Sequence, residues 1–206
     1  MSDTHNEFEH QKMIGGVLCL DFVNTVSARD TASPTDRLPG YEDLLAWAER
    51  VEIITADAGA RLRTEAARQP VATAAILERA ISLREALFRI FHSVIEGAQP
   101  AADDLAVLNA NVAASYPYLR LARSEPRFVW TWAEGGDKLD QILWSVVRSA
   151  AEVLTSGELE RIRMCAGEHC GWLFIDHSKN RSRRCCDLQE CGNVAKVRRY
   201  RRRQQH

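Results

Sequence analysis

The sequence predicts a mostly α chain of the α+β class: a helix-rich N-terminal domain with a few short strands, then a small cysteine-built unit. Three observations carry that expectation. Apolar residues recur every three or four positions through Ile76, Leu77, Ala80, Leu83, Leu87, Ile90, Phe91 and Val94, the mark of a long amphipathic helix. Further helical patterns follow one another through residue 154, separated by Gly and Pro turn signals. Five of the six cysteines crowd between residues 165 and 191, where regular cysteine spacing takes over from helical periodicity.

Residues 1–12 are polar and read as a disordered lead. Gly15-Gly16 opens a mostly apolar stretch, Val17 to Val26, whose period suits either a strand or a short buried helix. Asp30 to Pro39, with Ser33-Pro34 and Leu38-Pro39-Gly40, reads as a loop. Leu44, Leu45, Trp47, Ala48 and Val51 share one side of a helix beginning at Tyr41. Thr55 suits the N-cap of a helix running to Arg68, and Pro70 suits the first turn of the long helix that ends at Gly97. Another helix spans Ala101 to Ala114, and Tyr116-Pro117 ends it. Tyr118–Ala122 and Arg127–Trp132 read as two short strands, and a last helix runs from Lys138 to Leu154. Domain boundaries are expected at 13–157 and 158–206, with Gly157 at the junction.

No apolar run approaches the roughly 18 residues of a membrane span, and the first ten residues are polar and acidic, unlike a secretory signal. The expectation is a soluble, cytoplasmic protein with no membrane partner. The net charge of −1 conceals a polarised chain. Residues 161–206 carry twelve Lys or Arg against four acids, a surplus of eight, so residues 1–160 carry −9. Such polarisation separates a polyanion-binding end from an end with another task.

Cys165, Cys170, Cys186 and Cys191 form two C-x4-C pairs. Clustered, regularly spaced cysteines in a reducing compartment read as metal ligands before disulfides. Four thiolates in a tetrahedron leave no open position for water, so a Zn2+ held there is structural. Cys185 and Cys186 compete for one ligand position, and the x4 symmetry favours Cys186. His169 and His177 are not needed to reach four ligands. Cys170-Gly171 fits a zinc knuckle, since glycine lets backbone amides turn toward thiolate sulfur. Trp172 to Asp176 is expected to form one arm of a hairpin, with its turn at Lys179-Asn180 and Arg183 to Cys186 as the returning arm. Cys191 would sit in the first turn of a closing helix. Ligands from a knuckle, a hairpin end and a helix start describe a treble-clef-like zinc finger.

Cys165-x4-Cys170-Gly171-Trp172-Leu173-Phe174-Ile175-Asp176, Asn180-Arg181-Ser182-Arg183-Arg184 and Cys191-Gly192-Asn193, followed by Lys196 and Arg198-Arg199-Tyr200-Arg201, resemble the CGNR zinc-finger family. Leu20-Asp21-Phe22-Val23-Asn24-Thr25, followed by Leu44-Leu45-x-Trp47, resembles the opening of the ABATE domain that usually precedes that finger. The resemblance implies a bacterial, stress-responsive transcription regulator with Cys165, Cys170, Cys186 and Cys191 as its zinc ligands. Two residues depart from the family pattern: Val194 stands where the family has its name-giving arginine, and Cys185 where it usually has tryptophan. The first departure removes one cation near the start of the closing helix, and neither touches the ligand set.

The helix expected from Gly192 to Arg203 places Lys196, Arg199 and Arg203 along one face, flanked by Arg198, Arg201 and Arg202. Arg181, Arg183 and Arg184 add charge from the hairpin. Nine cations on so small a unit repel one another, and a phosphate backbone relieves that. If about five of them meet DNA phosphates, affinity falls roughly 4.5 decades per decade of salt. DNA rather than RNA rests on the resemblance alone. In the first domain Asp21, Asn24 and Arg84 are candidates for a small-molecule effector site, with internal hydrogen bonding as the plainer reading, and Trp47, Trp130, Trp132 and Trp144 are expected in the core. The domain would sense a small ligand or mediate homodimerisation. No nucleophile–base pair, phosphate loop or His-rich set stands out in residues 1–160, where His5, His10 and His92 are scattered, so an enzyme is not expected. The rivals are a module that docks its basic finger on an acidic protein partner, and an enzyme working through the first domain.

Overall fold

The computed structural model describes residues 13–133, 138–187 and 191. Helices supply the body, and the described strands pair only as three two-stranded antiparallel sheets. Helix α1 (Leu18–Val23) is short, and Cys19, Leu20, Asp21, Phe22 and Val23 are all buried in it. That explains its ambiguous period: a helix enclosed on every side has no polar face to betray 3.6-residue spacing. Strands β1 (Val26–Ser27) and β2 (Thr35–Asp36) pair across the expected loop.

Helix α2 (Tyr41–Arg50) turns Leu44, Leu45, Trp47 and Ala48 inward, and Trp47 meets Phe22 of α1 with ring centroids 5.2 Å apart. Helix α3 (Ala56–Arg68) begins at Thr55, whose hydroxyl accepts the Ala58 N–H and satisfies one donor left over at the helix start. Helix α4 (Pro70–Ile95) carries Pro70 in its first turn, where proline's missing N–H costs nothing. Its stripe of Ala80, Leu83, Leu87, Ile90 and Phe91 is fully enclosed. Burying each large member stabilises the fold by about 1.5–3 kcal/mol before entropy is counted.

Helix α5 (Ala102–Ser115) packs on α4, and helix α6 (Gln141–Leu154) lies against α1 and α5. Between them, β3 (Leu119–Ser124) and β4 (Arg127–Trp132) form a six-residue ladder. Two of the tryptophans depart from the expected core placement. Trp47 and Trp144 are enclosed, but Trp132 is half-buried and Trp130 is exposed. At the base of the hairpin Trp132 lies tilted against Trp144, with ring centroids 5.6 Å apart, and donates Nε1–H to Ser145 Oγ at 2.9 Å.

Strand β5 (Ile162–Met164) pairs with β6 (Leu173–Ile175), and this corrects the expected hairpin. The turn does fall at residues 178–181, where Arg181 N–H donates to Ser178 O at 3.1 Å. Residues 183–186, however, form no strand, because the ladder edge facing β6 is already taken by β5. The knuckle, not the Lys179-Asn180 turn, is therefore the tip of the hairpin. Ile162, Leu173 and Ile175 join the main hydrophobic core, so the first and second units share apolar packing.

Candidate metal centre

The ladder of β5 and β6 continues into the knuckle through Cys165 N–H, which donates to Trp172 O at 2.8 Å. This closes the loop that presents Cys165 and Cys170. The chain reverses there through His169 and Gly171, both at positive φ (58° and 67°). Gly171 adopts that conformation without strain, as expected of a knuckle glycine. Gly167 has a different task. A methyl group built on it would stand 3.1 Å from both Cβ and Sγ of Cys191 and 3.3 Å from Cys165 Sγ. Its missing side chain leaves room for two sulfurs.

The third cysteine is delivered by a polar clasp. Asp176, fully enclosed at the end of β6, accepts the Ser178 N–H at 2.8 Å and the Arg183 N–H at 2.9 Å on its two oxygens. The Ser178 hydroxyl and these amides hold its carboxyl below the ordinary range, because each bond favours the charged form. Arg183 lies over the Phe174 ring at 4.4 Å and donates to the carbonyls of Cys185 and Cys186. The clasp fixes the backbone just before Cys186, whose N–H points at Cys165 Sγ, 3.2 Å away.

The four sulfurs of Cys165, Cys170, Cys186 and Cys191 all lie within 4.8 Å of one another. The Cys170–Cys186 and Cys186–Cys191 separations are both 3.6 Å. A tetrahedron with zinc–sulfur bonds of ~2.3 Å requires edges of about 3.8 Å, so the donor set fits zinc. Hydrogen bonds from the Cys170 and Cys186 thiols, with backbone N–H groups of Cys186 and Gly167, hold Cys165 down at about 2. The bond to Cys165 pushes Cys170 up to about 12 and also raises Cys186, while burial raises Cys191. Four thiolates cannot share this volume without a central cation, and a divalent ion lets all four ionise.

Cys185 lies outside the quartet, half-buried beside it. His169 turns to Asp30, 3.1 Å away, and His177 lies 3.7 Å from Glu158, so both histidines face carboxylates. Among the cations named for nucleic acid, Arg181 is exposed 3.6 Å from Glu160, and Arg184 is exposed. Arg183 is occupied in the clasp. Lys196, Arg198, Arg199, Arg201, Arg202 and Arg203, like the expected closing helix beyond Cys191, lie outside the described residues.

The candidate effector residues do not converge on one space. Asp21 Oδ1 accepts the Gly15 N–H at 2.8 Å, and burial pushes its carboxyl up to about 6. Arg84, fully enclosed, grips Asp36 with both Nη atoms at 2.8 and 2.6 Å and donates Nε–H to Glu85 at 3.0 Å. Asn24 serves the finger. Its Nδ2–H donates to Leu173 O and its Oδ1 accepts the Leu173 N–H, both at 2.8 Å. Because Trp172 faces β5, the backbone groups of Leu173 point the other way, and so do those of Ile175, whose N–H donates to Gly15 O at 3.0 Å. Asn24 and Gly15 thus complete the outer edge of β6 in place of a third strand. Asp176, Gly167 and the Asn24 bridge escape a reading of spacing alone. Asp176 left a signal, an aspartate two residues before serine in a polar turn, and Asn24 another, a polar side chain in an apolar stretch, while Gly167 left none.

None of the described helices is long and apolar enough to cross a membrane. Among curated proteins no relative matches the chain. Two family models do. The ABATE model, whose description reads "Putative stress-induced transcription regulator", matches residues 16–157, and the CGNR zinc-finger model matches residues 161–204. Because the first of these covers well over half of the sequence and the second encloses all four clustered cysteines, the chain belongs to the ABATE family and ends in a CGNR zinc finger.

Proposed function

We propose that this chain is a cytoplasmic transcription regulator that binds DNA through its zinc finger and the arginine-rich segment behind it. The observation that carries the reading is the tetrathiolate cluster directly ahead of residues 192–206, which hold six Lys or Arg and no acid. Zinc bound there supplies a rigid joint, not chemistry: it ties the knuckle, the Asp176 clasp and Cys191 into one unit. The cations beyond Cys191 then start from a fixed point and can meet phosphates together, without ordering a free tail at each contact. Arginine among them offers bidentate contacts to guanine. The N-terminal domain, in this reading, senses a small ligand or mediates dimerisation, and carries no catalytic role.

Fluorescence anisotropy with a random-sequence duplex tests the proposal. Zinc-loaded protein is expected to bind with a steep salt dependence, about 4.5 decades per decade for five phosphate contacts. Cys186→Ala is expected to lose that binding. Undiminished, salt-sensitive binding by Cys186→Ala would refute the zinc-dependent interface. No binding by the parent in dilute buffer would refute DNA as the partner and leave an acidic protein as the rival.

A further inference from the structure

The β3–β4 hairpin has an apolar side that the body of the protein does not cover. Residues opposite one another in the ladder share a face: Leu119 with Trp132, Leu121 with Trp130, Arg123 with Phe128. At the base of that face Trp132 packs near Trp144. Farther out the same face runs into solvent, with Leu121 61%, Phe128 71% and Trp130 50% exposed, and Val129 on the reverse side 44% exposed. The three side chains on that face offer on the order of 400 Å2, a patch of the size that marks an interaction surface.

The backbone of β4 identifies the occupant. Ala133 N–H donates to Tyr118 O, so in β4 the odd-numbered residues face β3, and the N–H and C=O groups of Phe128 and Trp130 point to the open edge. No further strand pairs with that edge among the described residues. Residues 128–132 are Phe-Val-Trp-Thr-Trp, all strong strand formers with no charge and no proline. They lack every device that ordinarily blunts a free edge. The β3 edge differs, with Arg120 and Arg123 in its six residues, and self-pairing would bring four cations together.

We infer that two copies of this chain dimerise by antiparallel pairing of their β4 edges, with the twofold axis at Trp130 or Val129. Either register joins outward-pointing amides to outward-pointing carbonyls and keeps the two Arg127 side chains at opposite ends of the new ladder. The two hairpins become a four-stranded sheet whose apolar faces merge. The exposed side chains supply roughly half of the ~800 Å2 per partner that a stable dimer buries, the remainder falling to the hairpin backbone and the arginine stems beside it. The inference deepens the dimerisation part of the function proposed above, and its test needs no DNA, so the two fail separately.

Light scattering after size exclusion tests it. The zinc-loaded chain at about 50 μM, near the concentrations at which such interfaces hold, is expected at twice its 23.2 kDa. Trp130→Glu and Trp130→Lys are each expected to elute as folded monomers, by mass and far-UV circular dichroism. An equimolar mixture of the two is expected to restore the dimer, because opposite charges then meet across the axis. A monomeric parent overturns the inference, as does a Trp130→Glu protein that remains dimeric. Should either variant lose its fold, Phe128→Ser replaces it, and an unchanged dimer mass for that protein also overturns the inference.

Discussion

The Asn24 bridge makes the sharpest prediction, because one side chain closes the edge of the strand that follows the knuckle. Asn24 and Leu173 are both buried, and their two hydrogen bonds join groups 149 residues apart in sequence. Asn24→Ala removes both partners and leaves the Leu173 N–H and C=O inside the core without them. An orphaned buried polar group costs about 1–3 kcal/mol, so the pair costs about 2–6 kcal/mol, with ~4 as the central value. For a chain of this size each kcal/mol lowers the melting midpoint by about 2–4 °C, which places the loss at roughly 8–16 °C. Urea unfolding of the zinc-loaded protein, followed by circular dichroism, measures the free energy directly. Zinc transfer to a competing chelator dye should also quicken, since β6 is one wall of the knuckle. Asn24→Asp keeps an acceptor for the Leu173 N–H but turns a carboxylate toward the Leu173 carbonyl, so at neutral pH it should be no better than alanine. An Asn24→Ala protein within about 1 kcal/mol of the parent would refute the idea that this amide stands in for a strand.

Further outcomes follow from the same geometry. Cys186→Ser should fail to hold a full equivalent of zinc in a colorimetric assay, whereas Cys185→Ser should hold one, because only Cys186 lies in the quartet. Burial raises Asp21 to about 6, above the ~3.9 of an unfolded aspartate, so its contribution is fully present below about pH 3.9 and is lost as pH rises through about 6. Asp21→Asn keeps an oxygen for the Gly15 N–H and should match the parent near pH 4 yet exceed it at pH 7.5 by up to about 3 kcal/mol in urea-unfolding free energy; equal stability at both pH values would discard the buried charge. Gly167→Ala should weaken zinc retention by crowding the Cys191 and Cys165 sulfurs, read by the same dye competition. Removing zinc with a chelator should lower the melting midpoint of the helical body as well as the finger, because Ile162, Leu173 and Ile175 lie in the shared core. A helical transition unmoved by chelation would show the two parts to be independent.

The long helices were legible because each is half-buried. α2 and α4 write a 3.6-residue stripe into the sequence, and Thr55 and Pro70 mark the starts of α3 and α4 with side-chain chemistry that acts locally. α1 was not, since burial on all sides erases periodicity. The metal ligands were legible to the residue, because matched C-x4-C spacing is itself a geometric constraint. The strand pairing around them was not. Ile162-Arg163-Met164 is too short to announce a strand, and the polar turn at Lys179-Asn180 looked like a hairpin tip when it is a loop tied down by Asp176. Trp130 misled in the same way: its residue type speaks for burial, and only the ladder places it on the side of the hairpin that leaves the body. Asp21 and Asn24 read as polar residues needing partners, with Arg84 a candidate for that role, but Asn24 pairs with Leu173 and Arg84 with Asp36, 149 and 48 residues away and beyond the reach of any local pattern.

That distance has a consequence for how the two family segments work together. The finger is not strung on a linker. Its first sheet is closed on one side by β5 and on the other by Gly15 and Asn24 from the opening of the chain. α1, which Asn24 caps at its C-terminal end, also packs on α6 and on α4, the central helix of the body. Any event that shifts α1 by a fraction of a hydrogen-bond length must either follow β6 or break two buried bonds, and the second course costs about 2–6 kcal/mol. Cys165 and Cys170 sit on the loop that β5 and β6 hold closed. The metal centre is therefore held to the body by α1 together with the core contacts of Ile162, Leu173 and Ile175. The Asn24→Ala protein, even where it keeps its zinc, should lose one of the ties between the two segments and retain the others, the Gly15–Ile175 bond and the shared core of Ile162, Leu173 and Ile175.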